Sequence, residues 1–206
     1  VQIELRQIGK KFNKHWLFKQ VACTLETNHT LAITGSNGSG KSTLLQIILG
    51  FQLPSTGTIH CTANGSVVTD EVLFNHIAFV APYLELPEEL TLLEVIHFHF
   101  SFKTIKPGAV IETMINQAGL SGSEQKQVKY FSSGMKQRLK LLLAFHTVSE
   151  VLLLDEPTSN LDATGISWYQ QLLAAEYRKR TIIIASNQTY EYPSADRVLD
   201  ITTQVR

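Results

Sequence analysis

The chain has 206 residues, and its 18 Lys and Arg are balanced by 18 Asp and Glu, for a formal net charge of zero. That length suits one domain over residues 1–206 with a substantial core, and the neutral balance leaves no global basic field to draw in nucleic acid. No apolar run approaches the roughly 18 residues of a membrane-spanning helix, and the opening Val1-Gln2-Ile3-Glu4-Leu5-Arg6 alternates like a strand rather than reading as a signal segment.

From the N-terminus to about residue 80 the pattern is mostly strands and turns, built around one loop of unusual composition. Leu31-Ala32-Ile33 leads directly into Gly35-Ser36-Asn37-Gly38-Ser39-Gly40-Lys41-Ser42, and Thr43-Leu44-Leu45-Gln46-Ile47-Ile48-Leu49 follows as a helix that Gly50 ends. Three glycines let the loop curl its N–H groups inward, and the helix adds the positive end of its dipole. This strand-loop-helix run therefore predicts a cradle for a nucleoside triphosphate, formed by Gly35, Ser36, Asn37, Gly38, Ser39, Gly40 and Thr43. Lys41 is expected to reach the β- and γ-phosphates, and the Ser42 hydroxyl to ligate the Mg²⁺ that bridges them. Glycines that merely tightened a turn would not need Lys-Ser at the helix start. Further on, Thr58 to Thr62 and Ser66 to Val68 read as strands joined by an Asn64-Gly65 turn. Cys23 and Cys61 lack a Cys-x-x-Cys spacing, which suits buried thiols in a reducing compartment.

From about residue 88 to 147 the periodicity turns helical, as an insertion with Pro107-Gly108 as its internal break. One predicted helix follows a cap at Thr91, and another runs from Val110 to Ala118 and stops at Gly119. His97 and His99, two apart, point to different faces and form no metal pattern. Phe98, Phe100 and Phe102 read either as core or as a surface for a membrane partner. Two nearly all-apolar runs come next, Val151 to Leu154 and Thr181 to Ala185, separated by a helix-length segment from Thr164 to Arg178. Such runs mark parallel strands buried on both faces, so the fold class is α/β: a mostly parallel sheet, an antiparallel N-terminal β-lobe and an inserted helical lobe. Asp155 and Glu156 close the first run, at the carboxyl end of a buried strand, where open α/β sheets bind ligands. Asp155 suits Mg²⁺, and Glu156 suits orienting or deprotonating the attacking water.

Order and spacing add a family resemblance. Tyr130-Phe131-Ser132-Ser133-Gly134-Met135-Lys136-Gln137-Arg138 resembles the signature of ABC (ATP-binding cassette) transporter nucleotide-binding subunits. It lies shortly before the Asp155-Glu156 strand, and Ser159-Asn160-Leu161-Asp162 resembles the family's D-loop. The resemblance covers essentially the whole chain. It implies a P-loop ATPase that binds ATP and Mg²⁺ and forms a head-to-tail homodimer or heterodimer with another ATP-binding subunit. Each ATP would lie between one phosphate loop and the partner's Ser132, Ser133 and Gly134, with Asp162 nearby. It further implies a cytoplasmic protein, peripheral on the cytoplasmic face of the cell membrane, that drives a separate membrane permease and engages no nucleic acid. Phe12 matches the aromatic on which the family stacks adenine, with Trp16 as a competitor.

Three departures bear on mechanism. Pro82 stands where the family has a Gln that contacts Mg²⁺, leaving Tyr83 or a backbone carbonyl to substitute. Asn187 replaces the switch histidine: it can donate an amide hydrogen bond to a γ-phosphate but cannot titrate, which predicts slower hydrolysis. Ser133 and Met135 replace a Gly and a Gln of the signature, with Ser133 expected to crowd a close backbone approach. Lys136 and Arg138 are expected to add positive charge at that helix end. The alternative function is a nucleotide-gated regulatory module with slow or absent hydrolysis.

Overall fold

The computed structural model describes residues 1–63, 65–68 and 70–204; Asn64 of the predicted Asn64-Gly65 turn lies outside them. Two sheets organise the chain. The antiparallel one joins β1 (Gln2–Phe12), β2 (His15–Leu25), β4 (Thr56–Ala63) and β5 (Ser66–Val67) in the order β2-β1-β4-β5. The parallel one joins β3 (Thr30–Thr34), β6 (Ile77–Val80), β7 (Val151–Asp155), β8 (Thr181–Ala185) and β9 (Arg197–Asp200) in the order β6-β7-β8-β3-β9. The predicted Val151 and Thr181 runs are its central strands, buried on both faces as their composition requires.

Side chains alternate across a strand, and the sheet uses this to separate two apolar clusters. Val151, Leu153, Ile183 and Ala185 face one cluster, which α1 (Lys41–Ile48) and the antiparallel sheet complete through Leu44, Leu45, Ile3 and Phe18. Leu152, Leu154, Ile182 and Ile184 face the other, which is closed by α3 (Leu92–Phe102), α4 (Ile111–Gln117), α5 (Ser133–His146) and α6 (Ala163–Glu176). The helical stretch predicted over residues 88–147 thus shares its core with one face of the parallel sheet. Within it, α3 opens on a capping box: Glu94 N–H donates to the Thr91 hydroxyl, and the Glu94 carboxylate accepts from Thr91 N–H. His97 is exposed, whereas His99 is partly buried with Nε2 at 2.9 Å from the Thr147 hydroxyl, so the two do face apart.

One helix was not expected. α2 (Asp70–His76) interrupts the β-rich first 80 residues and inserts Leu73 into the α1-side cluster; a seven-residue helix is too short to show a period in sequence. Cys23 and Cys61 are both buried in the antiparallel sheet and form no disulfide. Among the described residues no helix is long and apolar enough to cross a membrane.

Candidate functional site

The parallel order β7-β8-β3 places three carboxyl ends side by side: Asp155 and Glu156 after β7, Ser186 and Asn187 after β8, and the glycine loop after β3. The loop conformation depends on its glycines. Gly35, Gly38 and Gly40 have φ of 144°, 81° and 102°, which L side chains rarely adopt. A Cβ on Gly40 would also lie 2.7 Å from Leu17 of β2, so the first strand pair is packed directly on the loop. Lys41 is buried, and its ammonium donates to the carbonyls of Gly35 at 2.8 Å and Ser36 at 3.3 Å, inside the curl of the loop. Asn187 Nδ2 donates to Oδ1 of Asn37 at the loop tip, at 3.5 Å. Those two residues and Glu156 line one cavity of about 240 Å³ with Thr158, Ser186 and Glu191.

Asp155 is buried at the end of β7, and neither of its carboxylate oxygens closes a hydrogen bond of normal geometry. Burial pushes its carboxyl up to about 6, opposed by the Ser42 hydroxyl, the Tyr83 phenol and Lys41 beside it, and reinforced by the Glu156 charge. Two orphaned oxygens facing a hydroxyl are a hard-oxygen donor set that fits Mg²⁺, which takes few protein ligands and keeps several waters. Tyr83 is the residue that comes nearest at the Pro82 departure. Its phenol lies beside Asp155 and Gln46, and burial, with the Asp155 carboxylate, pushes it up to about 12. The alternative donor, the Pro82 carbonyl, is taken by Lys140 Nζ at 2.9 Å.

The remaining sequence-predicted residues lie apart from this row. Phe12 ends β1 with its ring 51% exposed and Lys10 Nζ 5.2 Å from its centroid. Trp16 is flanked by Lys11 and Lys19, at 5.5 and 5.4 Å, so Phe12 offers the freer face. Ser132 caps α5 by accepting from Met135 N–H at 3.2 Å, and Ser133 is exposed. The backbone passes close at Gly134, where a Cβ would lie 2.8 Å from the Asn160 carbonyl. Asp162 caps α6 through Gly165 N–H and pairs with Arg138 at 2.7 Å.

Of the two basic residues expected to add charge at the opening of α5, Lys136 pairs with Glu88 and Arg138 with Asp162, so both also tie neighbouring segments of the chain together. Sequence reading also missed Gln137 and Glu191, whose partners, Pro157 and Thr158, are 20 and 33 residues distant.

A strand-loop-helix phosphate cradle at the head of a parallel sheet, with an antiparallel sheet packed on it and helices on the far face, defines a nucleotide-binding cassette. Residues 18–159 match the ABC transporter family, and the chain belongs to that family. It is 31% identical over 206 residues to the sulfate/thiosulfate import ATP-binding protein CysA of Synechococcus elongatus, covering 97% of this chain and 59% of that one. It is 30% identical over 187 residues to an uncharacterised ABC transporter ATP-binding protein, YybJ, of Bacillus subtilis strain 168, covering 90% and 85%. A solved ATP-binding subunit of an ABC transporter superposes with a TM-score of 0.80 at 22% identity, over 97% of this chain and 86% of that one, and shares the fold.

Proposed function

We propose that this chain hydrolyses Mg-ATP in a site completed by a second cassette, and that it works on a separate membrane permease. The observation that carries this reading is the cavity shared by Glu156, Asn187 and the phosphate-loop tip Asn37, which aims a carboxylate at the place where a γ-phosphate would sit. Phe12 offers a stacking face for the base, and Gly35 to Thr43 offer N–H groups to the phosphates. Lys41 neutralises the β- and γ-oxygens. Ser42 and Asp155 would hold Mg²⁺, which supplies charge neutralisation on the same oxygens. Water adds to the γ-phosphorus in line with the breaking bond to ADP, Glu156 takes its proton, and Asn187 donates its amide to a γ-oxygen. Ser132, Ser133 and Gly134 open α5 away from this row, so their helix end is free to meet the γ-phosphate of a second cassette, with the partner's Asp162 close by.

ATP turnover by the purified chain is expected to rise faster than linearly with protein concentration and to vanish with Lys41→Ala. Strict proportionality would overturn the two-cassette site. Binding of ATP with no turnover at any concentration would favour the nucleotide-gated switch, the reading that Pro82 and Asn187 support.

The permease contact falls on an apolar groove of about 390 Å³ between α2, β6 and α3, lined by Phe51, Phe74, Phe79, Phe98 and Phe102. Phe98 and Phe102 stack edge-to-face at 5.2 Å, and both are exposed. Tyr83 packs on Phe79 at 6.2 Å, and Phe79 on Phe51 at 6.3 Å, so ring contacts run from Asp155 to the groove. Phe102→Asp is expected to cut binding to stripped native membrane vesicles by about tenfold, a loss of ~1.4 kcal/mol. Turnover in solution should stay within about two-fold; unchanged vesicle binding would place the contact elsewhere.

A further inference from the structure

Glu191 is a buried acid to which the chemistry above gives no role. It ends a short 3-10 turn, Thr189–Glu191, shortly after Asn187, and is 2% exposed. Its carboxyl faces hydroxyls and a backbone N–H rather than a cation. Oε1 accepts from Thr158 N–H at 2.8 Å and from the Thr158 hydroxyl, while Oε2 is buried with no hydrogen-bond partner. Burial holds this carboxyl above its ordinary pKa against the opposing influence of the Ser186 and Thr158 hydroxyls beside it, and the Glu156 charge pushes the same way as burial.

The segment that carries Glu191 is itself fixed. Tyr169 donates its hydroxyl to the Glu191 carbonyl at 2.7 Å, and Gln188 N–H donates to the Ser186 hydroxyl at 2.8 Å. From the opposite side, Gln137 of α5 donates Nε2 to the Pro157 carbonyl at 2.7 Å in a buried contact. Pro157 and Thr158 follow Glu156 directly, and Glu156 has φ +42°, a conformation that a non-glycine residue keeps only where its surroundings impose it. Its own N–H donates to the Ala185 carbonyl at 2.9 Å and its carbonyl accepts from Ser159 N–H at 3.1 Å, so Pro157 and Thr158 form the bend between two backbone contacts, and it is this bend that Gln137 and Glu191 hold.

We infer that Glu191 is a positioning residue for Glu156: by holding Thr158 through two acceptor contacts, against Gln137 on Pro157, it keeps the left-handed turn that aims the Glu156 carboxylate into the cavity. This rests on the assignment of Glu156 as the base. It also means that one segment carries both Asn187 and the anchor of Glu156, so a shift of either is felt by the other.

The test pairs hydrogen exchange with kinetics on the full chain. In Glu191→Ala, amide exchange in the 156–161 segment is expected to rise at least about tenfold, with the phosphate-loop segment unchanged. Turnover should fall at least about tenfold, with KM for ATP within about two-fold. Glu191→Gln keeps an acceptor for Thr158 and should restore protection and most of the turnover. Thr158→Val, which removes only the hydroxyl contact, should fall between. A Glu191→Ala chain that keeps its protection, one that loses phosphate-loop protection as well, or a Glu191→Gln chain as slow as the alanine variant would each overturn the proposal. Glu156→Gln is the separating control. If it turns over normally, the base assignment falls and the positioning role with it; if it is slow while Glu191→Ala is normal, the positioning role alone falls.

Discussion

Exchange of Glu156 for glutamine is expected to slow ATP turnover by about 10²–10⁴-fold, the range supplied by a positioned general base. Glutamine keeps the shape of the side chain in the cavity beside Asn37 and Asn187 but cannot accept the proton of the attacking water. ATP affinity should change by less than about three-fold, because Lys41, Ser42 and the loop glycines are untouched, so the loss belongs in kcat. The exchange also removes one of the charges that help hold the Asp155 carboxyl at about 6, so metal binding should not weaken. In the two-cassette reading proposed above, chromatography of the variant with Mg-ATP should show a longer-lived dimer, because slow hydrolysis would keep ATP between the two subunits. A variant with half the native turnover would exclude Glu156 as the base.

Replacing Glu176 with alanine is expected to cost the fold about 3–5 kcal/mol, the penalty for leaving a buried cation without its partner. Arg180, 3% exposed at the edge of β8, meets the Glu176 carboxylate at 2.7 Å, and Lys106 meets its other oxygen at 2.6 Å. Burial pulls both cations below their ordinary pKa, so each depends on the carboxylate between them. Arg180 keeps one good contact besides, to the Ser149 hydroxyl at 2.8 Å, and its ring partner Phe145 at 5.7 Å offers only a cation–π contribution. Urea unfolding should show the full loss in Glu176→Ala and a partial recovery when Arg180→Met is added, because the apolar chain removes the stranded charge. Glu89→Ala, which breaks an ion pair whose acid is 80% exposed, should cost less than about 1 kcal/mol. Equal losses from the two single variants would mean that burial does not set the value of the Glu176 pair.

Local signals were readable in the sequence because their partners lie within a few residues. The phosphate loop needs only its own glycines and the helix that follows, and the Thr91–Glu94 box spans a single turn. The runs Val151–Leu154 and Thr181–Ala185 announced a doubly covered parallel sheet by lacking any polar face. The strand order β7-β8-β3, which brings Glu156, Asn187 and Asn37 together, depends on crossovers that no window of sequence contains. The same holds for Glu191 on Thr158 and Gln137 on Pro157. The three departures resolve unequally. At Pro82 the structure offers the Tyr83 phenol beside Asp155, and Ser133 stands exposed next to the close approach at Gly134. Asn187 lies within reach of the loop tip, its Nδ2 3.5 Å from Asn37 Oδ1.

The alternation of β7 and β8 between two apolar clusters has a consequence for how such a chain changes over time. Odd-numbered β7 positions such as Val151 and Leu153 answer to the side of α1 and the antiparallel sheet, and even-numbered ones such as Leu152 and Leu154 to the side of α3 to α6. A substitution on the buried face of α3, at Leu92, Val95 or Ile96, therefore meets only the second set, while the residues packed behind the phosphate loop stay as they were. The helical face of the sheet can in this way drift while the packing behind the phosphate loop is kept.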